Sequence, residues 1–200
     1  MSYSNFTIAK IRSEFGLEIK PRPGLFGDAP LRAPSAWLKD TLAFNLALAT
    51  SNDTEKARSE LIVMPVLVEL WRQAGQSFGL FSGRTFNVDR KLGLQGACDY
   101  LLSRAPSQFA IEAPVVVVVE AKNDNFGIGQ PQCIAEMIAA RIFNERAGTG
   151  ITEIYGAVTI GSVWQFLRYR GNLVEISGEE YTAAQPDKLL GILWQMIVTN

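Results

Sequence analysis

The 200-residue sequence contains no histidine. That absence removes a serine–histidine–aspartate or cysteine–histidine nucleophile pair from the chain. It also removes HExxH chemistry and any histidine-ligated zinc site. The two cysteines, Cys98 and Cys133, stand far apart with no CxxC pattern, so neither a disulfide framework nor a cysteine zinc site is expected. No GxGxxG and no GxxxxGK[ST] occurs, and "GIGQ" at 127–130 lacks the spacing of a nucleotide loop. No apolar run approaches the ~18 residues of a membrane helix, and the opening "MSYSNFTIAKIRSEFG" lacks the apolar stretch of a signal peptide. A cytoplasmic protein with no membrane partner is therefore expected. Positive charge is not in excess either: 19 basic side chains face 20 acidic ones. Any nucleic-acid binding has to use a local patch rather than overall charge. Catalysis is left with carboxylates, lysine, arginine, hydroxyls or a hard cation bound through oxygen.

What is present is enough apolar material, 48% of the residues, for one domain with a full core. A short helical pattern, "FTIAKIRSEFG", precedes "KPRPGLFGDAPLRAPS", which reads as an extended loop or arm. Ser35 is placed to cap a helix running to about Thr50, and Asn52, Asp53 and Thr54 are candidate caps for the next. That next helix, "EKARSELIVMPVLVELWRQAG", carries Leu61, Met64, Val68 and Trp71 at helical spacing. Pro65 either kinks it or starts a second helix, and Gly75 is a plausible stop. Strands are expected at "RTFNV" (84–88), "ACDYLLS" (97–103) and the valine run from 115. A helix with Pro131 in its first turn follows, then two or more strands in "IYGAVTIG" and "VWQFLRYRGNLVEIS". A last helix begins near Asp187 with an apolar stripe of Leu189, Leu190, Leu193, Met196 and Ile197. Helix, three strands, helix, strands, helix implies an α/β domain with a mixed sheet flanked by helices.

The most informative stretch is "VVVVVEAKND". A continuous β-branched run is a strand covered on both faces, hence interior to the sheet. It ends in Glu120 and Lys122, which share a face because strand side chains repeat every second residue. They either pair with each other as a strand-end salt bridge, or share a metal ion and the water it activates. Asp99 sits inside an apolar strand, where a carboxylate is costly unless paired or metal-bound. If 97–103 and the valine strand are antiparallel neighbours, Asp99 and Glu120 converge. Two carboxylates and the Ala121 carbonyl form an oxygen donor set suited to Mg2+ or Mn2+. Lys122 would sit beside the bound water. Arg84, Arg90, Lys91, Arg168 and Arg170 are the candidate phosphate contacts, and Arg168 and Arg170 share a strand face.

Asp99, a spacer, then Glu120-Ala121-Lys122 after an apolar strand resembles the PD-(D/E)XK nuclease superfamily, which has the restriction-endonuclease-like fold. "RSELIVMPVLVEL", "CDYLL" and "VVVVVEAK" are similar to the N-terminal nuclease domains of type I restriction subunits. "GLQGACDYLLS" and "QCIAEMIAARIFN" resemble cyanobacterial members. The motif's proline is absent, since Cys98 precedes Asp99. The resemblance implies a helical glutamate, for which Glu60 fits better than its neighbours Glu55 and Glu69. It also implies a glutamine on the helix after the ExK strand, either Gln130 or, one turn before Glu136, Gln132. It implies a nuclease-like domain over 54–200, with 1–53 a helical and extended segment packed on it.

The resemblance further implies a metal-dependent phosphodiesterase, a DNA endonuclease, with Glu60, Asp99, Glu120, Lys122 and Gln132 at its centre. Asp99, Glu120, the Ala121 carbonyl and Glu60 would serve the metal. The alternative is a catalytically silent nuclease-like module for binding or regulation, and RNA is an alternative substrate. A homodimer is a further expectation, with Leu193, Trp194 and Met196 either at its interface or in the core.

Overall fold

In the computed structural model, which describes residues 2–122 and 124–198, the helices begin where polar caps fall. Thr7 accepts from the Lys10 N–H and starts α1 (Ile8–Phe15), which ends on Gly16 in the left-handed region. The Pro/Gly-rich stretch that follows is not only an arm. Its first residues form β1 (Glu18–Arg22), an edge strand parallel to a later one. Pro21 and the charged residues around it obscure this strand in the sequence, and an edge is where proline is tolerated in a sheet. Ser35 then accepts from the Leu38 N–H and starts α2 (Ala36–Asn52).

Thr54 caps α3 (Glu55–Arg58), which passes through a π turn, Ser59–Val63, into α4 (Met64–Gln73) with Pro65 in its first turn. Pro65 thus opens a helical segment. The face it buries is Ile62, Val63, Val66, Leu67 and Leu70, while Leu61, Met64, Val68 and Trp71 are only half-buried. The expected stripe was the neighbouring one. The helix lies against both α2 and the C-terminal helix as well as the sheet, so apolar residues cover more than one face.

The first strand of the central meander is β2 (Gly79–Thr85), earlier than the expected 84–88. Two glycines and Ser82 hide it, and pairing with β3 (Ala97–Ser103) creates it. β3 runs antiparallel to β4 (Val115–Ala121), whose seven residues are all buried. The helix α5 (Phe126–Arg146) starts at Phe126 because the Asn125 side chain caps it, so Pro131 lies inside the helix rather than in its first turn.

β5 (Glu153–Thr159) runs parallel to β4, β6 (Val163–Arg170) antiparallel to β5, and β7 (Leu173–Ser177) antiparallel to β6. β7 also takes β1 on its outer edge, and the two-residue β8 (Tyr181–Thr182) pairs with β6. The sheet order is β1-β7-β6-β5-β4-β3-β2, a mixed eight-stranded sheet.

Helices cover both faces. Tyr100, Val117 and Val119 face a core shared with α2, α4 and α6 (Pro186–Val198), while Leu101 and Val118 face a core shared with α1 and α5. Leu189, Leu190, Leu193, Met196 and Ile197 of α6 are buried in the first core. Leu193 and Met196 are thus core residues rather than an interface, and Trp194 is half-buried under the Arg32 guanidinium, 3.4 Å from the ring centre. Residues from 1–53 enter both cores and the sheet. Among the described residues no helix is long and apolar enough to cross a membrane.

Two buried polar side chains lock the frame. Glu69 accepts from both the Ser35 N–H and its hydroxyl at 2.8 Å, tying the start of α2 to α4. Burial alone would raise its pKa, but these bonds and one from Gln73 hold it below the usual carboxylate range. Asn144 of α5 accepts from the Val115 N–H at 2.8 Å and donates to its carbonyl at 2.7 Å, fixing the entry to β4. Asn144→Ala strands both main-chain groups in the core. It should lower the unfolding free energy by about 2 kcal/mol in urea denaturation. An unchanged midpoint would mean that Val115 finds other partners.

Candidate functional site

Glu120 follows five buried valines and is itself fully buried. Continuing the β3–β4 register one step past Tyr100 and Val119 sets Asp99 opposite Glu120. The expected antiparallel pairing therefore holds, and it brings the two carboxylates together. Asp99 accepts from the Ala121 N–H at 2.8 Å, while Lys122 donates from its ammonium to Glu120 Oε1. The Lys122 N–H bonds the Thr159 carbonyl at 2.7 Å, so the chain is still held by β5 at this point. Glu120 and Lys122 do share a face, and that face looks at α5.

The close approach of α5 depends on Gly129. A Cβ there would lie 2.5 Å from a Val158 methyl and 3.0 Å from Lys122 Cγ. "GIGQ" is thus helix packing against the strand ends. The next turn brings up Gln132, which donates to Glu136 at 3.3 Å, whereas Gln130 turns to Gln165 on β6 at 2.7 Å. Of the two candidate glutamines, only Gln132 belongs with the acids. Glu136 is fully buried, and among the described residues Glu136 Oε2 and Glu120 Oε2 have no hydrogen-bond partner.

Glu60 lies in the π turn, exposed, and pairs with Lys56 at 3.1 Å. It does not touch Glu120, but it lines a cleft of about 250 Å³ with Asp99, Ala121, Ser59 and Glu55. A second cleft, of about 390 Å³, is lined by Lys122, Gln132, Asp124, Asn125, Ser4 and again Glu55. Glu120 is thus sealed between two openings to solvent. Glu69, the other helical competitor, caps α2 and is excluded from the site.

Charge is unbalanced here. Asp99, Glu120 and Glu136 act on one another, and the cation among them is Lys122. Burial, reinforced by Asp99, pushes Glu120 up to about 8 against the opposing pull of Lys122. Burial raises Asp99, only partly offset by the Ala121 N–H and Lys122. Burial and then Glu120 push Glu136 well up. Burial pulls Lys122 down, but Glu120 with Glu55 and Asp99 holds it above the ordinary lysine value. Cys98 and Cys133 are buried and free, their thiols pushed up by burial and then by Glu136, so neither is a nucleophile.

Two further residues border or act on the site without a motif pattern that marks them as its members. Glu136 is a lone charge inside the apolar run "CIAEMIAA", a signal of the same kind as Asp99. Glu55, in the sequence a rival to Glu60, borders both clefts. The suggested basic contacts are largely engaged. Arg168 bonds Glu175 at 2.6 Å, Arg170 pairs with Glu153 at 3.3 Å, and Arg84 donates to the Phe109 carbonyl. Arg90 and Lys91 lie exposed in the turn around Asp89.

No protein-family model, curated protein or solved structure matches this chain. Among the described residues no three histidine, cysteine, aspartate or glutamate side chains form a ready metal cage.

An acid raised in the native state keeps its proton there after the unfolded chain has lost it. Between the ordinary 4.5 and about 8 the folded protein therefore binds more protons, and stability falls as pH rises through that window. In EDTA the melting temperature should drop from pH 5 to pH 8.5, and Glu120→Gln should flatten part of the slope. A melting temperature constant or rising over that range would contradict the charge balance drawn for these acids.

Proposed function

We propose that the chain is a metal-dependent phosphodiesterase of the restriction-endonuclease-like kind, acting on DNA. The observation that carries this reading is the convergence of Asp99, Glu120, Ala121 and Lys122 at the joined ends of β3 and β4. Salt-bridge formation alone accounts for Lys122 and Glu120 Oε1. It leaves Glu120 Oε2 without a partner among the described residues, and it leaves the acids in excess. A buried carboxylate in that state either keeps its proton or takes a cation, and an oxygen donor set flanked by two clefts favours the cation.

The donors fit a hard one. Carboxylate oxygens of Asp99 and Glu120 and the Ala121 carbonyl are ligands of the class that Mg2+ and Mn2+ take, while burial holds the neighbouring Cys98 and Cys133 thiols protonated. When bound, such an ion lowers the pKa of water and offsets charge on a phosphoryl oxygen. The remaining roles fall to the chain. Asp99 and Glu120 would hold the ion. Lys122, at the mouth of one cleft, orients the attacking water and offsets negative charge on the phosphate. Gln132 steadies the helix side. Glu60, on the rim of the other cleft, is in reach of a water or metal there rather than of Glu120. The order of helix, β2–β4 meander, α5 and parallel β5 supports the fold-level reading.

One feature favours the second reading, a silent binding module: Glu120 is closed to solvent, with no ready cage around it. The test is cleavage of supercoiled, linear, branched and single-stranded DNA and of RNA, with Mn2+ or EDTA. Metal-dependent cutting of DNA is expected, falling about 10²-fold or more in Lys122→Ala and in Asp99→Ala, both folded by circular dichroism. Cutting that survives both substitutions removes this site from the activity. Cutting of RNA alone would reassign the substrate.

A further inference from the structure

The acid on α5 is unexplained by packing. Glu136 sits among Cys133, Met137 and Ala140, all fully buried, where an aliphatic side chain would complete the helix face. It holds instead a carboxylate with a single side-chain donor, the Gln132 amide at 3.3 Å. Among the described residues its Oε2 has no partner, and neither has Oε2 of Glu120, the charged group that acts on it most strongly. A structural carboxylate in a core is normally met by two or more donors, as Glu69 is here by Ser35 and Gln73. Among the described residues Glu136 has one such donor.

We infer that Glu136 is a further ligand residue of the cation site, supplying from α5 a carboxylate oxygen that acts with Glu120 on the same divalent ion. This rests on the metal-site reading above and extends it across the sheet edge to the helix. Gln132 is then a positioning residue, since its amide takes one oxygen of Glu136 and leaves the other for the ion. Gly129 shares in this by letting α5 approach Lys122 and Val158 closely enough for the helix to reach the site.

The test is Mn2+ binding without substrate, followed by electron paramagnetic resonance of free Mn2+ and by calorimetry. It compares the full chain with Glu136→Gln and Glu136→Asp, each checked for folding by its metal-free melting curve. The expected order of affinity is native, then Glu136→Asp, then Glu136→Gln, with the last at least tenfold weaker while its metal-free melting temperature holds or rises. Glu136→Asp keeps the charge and moves the oxygen, so its affinity should fall at least threefold even if Glu136→Gln does not fold. Native protein that binds Mn2+ alongside a folded Glu136→Gln of equal affinity would overturn the role of Glu136 and leave the Asp99–Glu120 site standing. Native protein that binds no Mn2+ would overturn both.

Discussion

Burial of a carboxylate at the end of a wholly apolar strand is the constraint around which the rest is arranged. Val115–Val119 lie under helices on both faces, and Glu120 continues them into the core rather than into water. A charge there is tolerated only with compensation. Lys122, one residue past the end of the strand, supplies part of it from the same face. What remains uncompensated is shared among Asp99, Glu120 and Glu136, which come from β3, β4 and α5. A nonlocal cluster of this kind needs the sheet register and the helix docking to be right together.

The scaffold answers that need with small local devices. Antiparallel pairing brings Asp99 to the register of Glu120, and the Ala121 N–H holds it there. Gly129 removes the side chain that would keep α5 off the strand ends. The Asn144 bridge fixes the other end of α5 to the start of β4, so helix and strand are aligned at both ends. The π turn at Ser59–Val63 falls where Glu60 and Ser59 meet the cleft, and such turns concentrate at functional sites. The N-terminal turn adds a cover. Tyr3 is buried with its hydroxyl on the Phe86 carbonyl, and Ser4 borders the cleft of Lys122.

The proposed cation site rests on the same imbalance. Groups that repel one another in a low dielectric bind a cation more readily than the same groups in water, because the cation relieves both desolvation and repulsion. The two clefts then give solvent a route to the flanks of a buried centre. The surface itself is not broadly basic, so recognition of a phosphate chain would come from the site and a few local cations. Arg168 and Arg170 are held by acids on neighbouring strands.

Several features were legible in the residues alone. A helical pattern marked α1, capping side chains marked α2 and α3, β-branched composition marked β4, and the apolar stripe marked α6. Alternation put Glu120 and Lys122 on one face, and the absence of histidine left an oxygen-donor site as the available metal chemistry. These depend on local sterics and on periods of two and 3.6 residues, which a sequence displays. Other features depend on partners distant in the chain. β1 and β2 are strands because β7 and β3 hold them, despite proline and glycines of low strand propensity. The buried face of α4 was decided by two helices packing on it as well as the sheet. The assignment of Gln132 over Gln130, the exclusion of Glu69 and the electrostatic influence of Glu120 on the buried Glu136 were decided by the docking of α5 and α2. No local pattern encodes which carboxylate will lose its water; only the packed tertiary structure determines that.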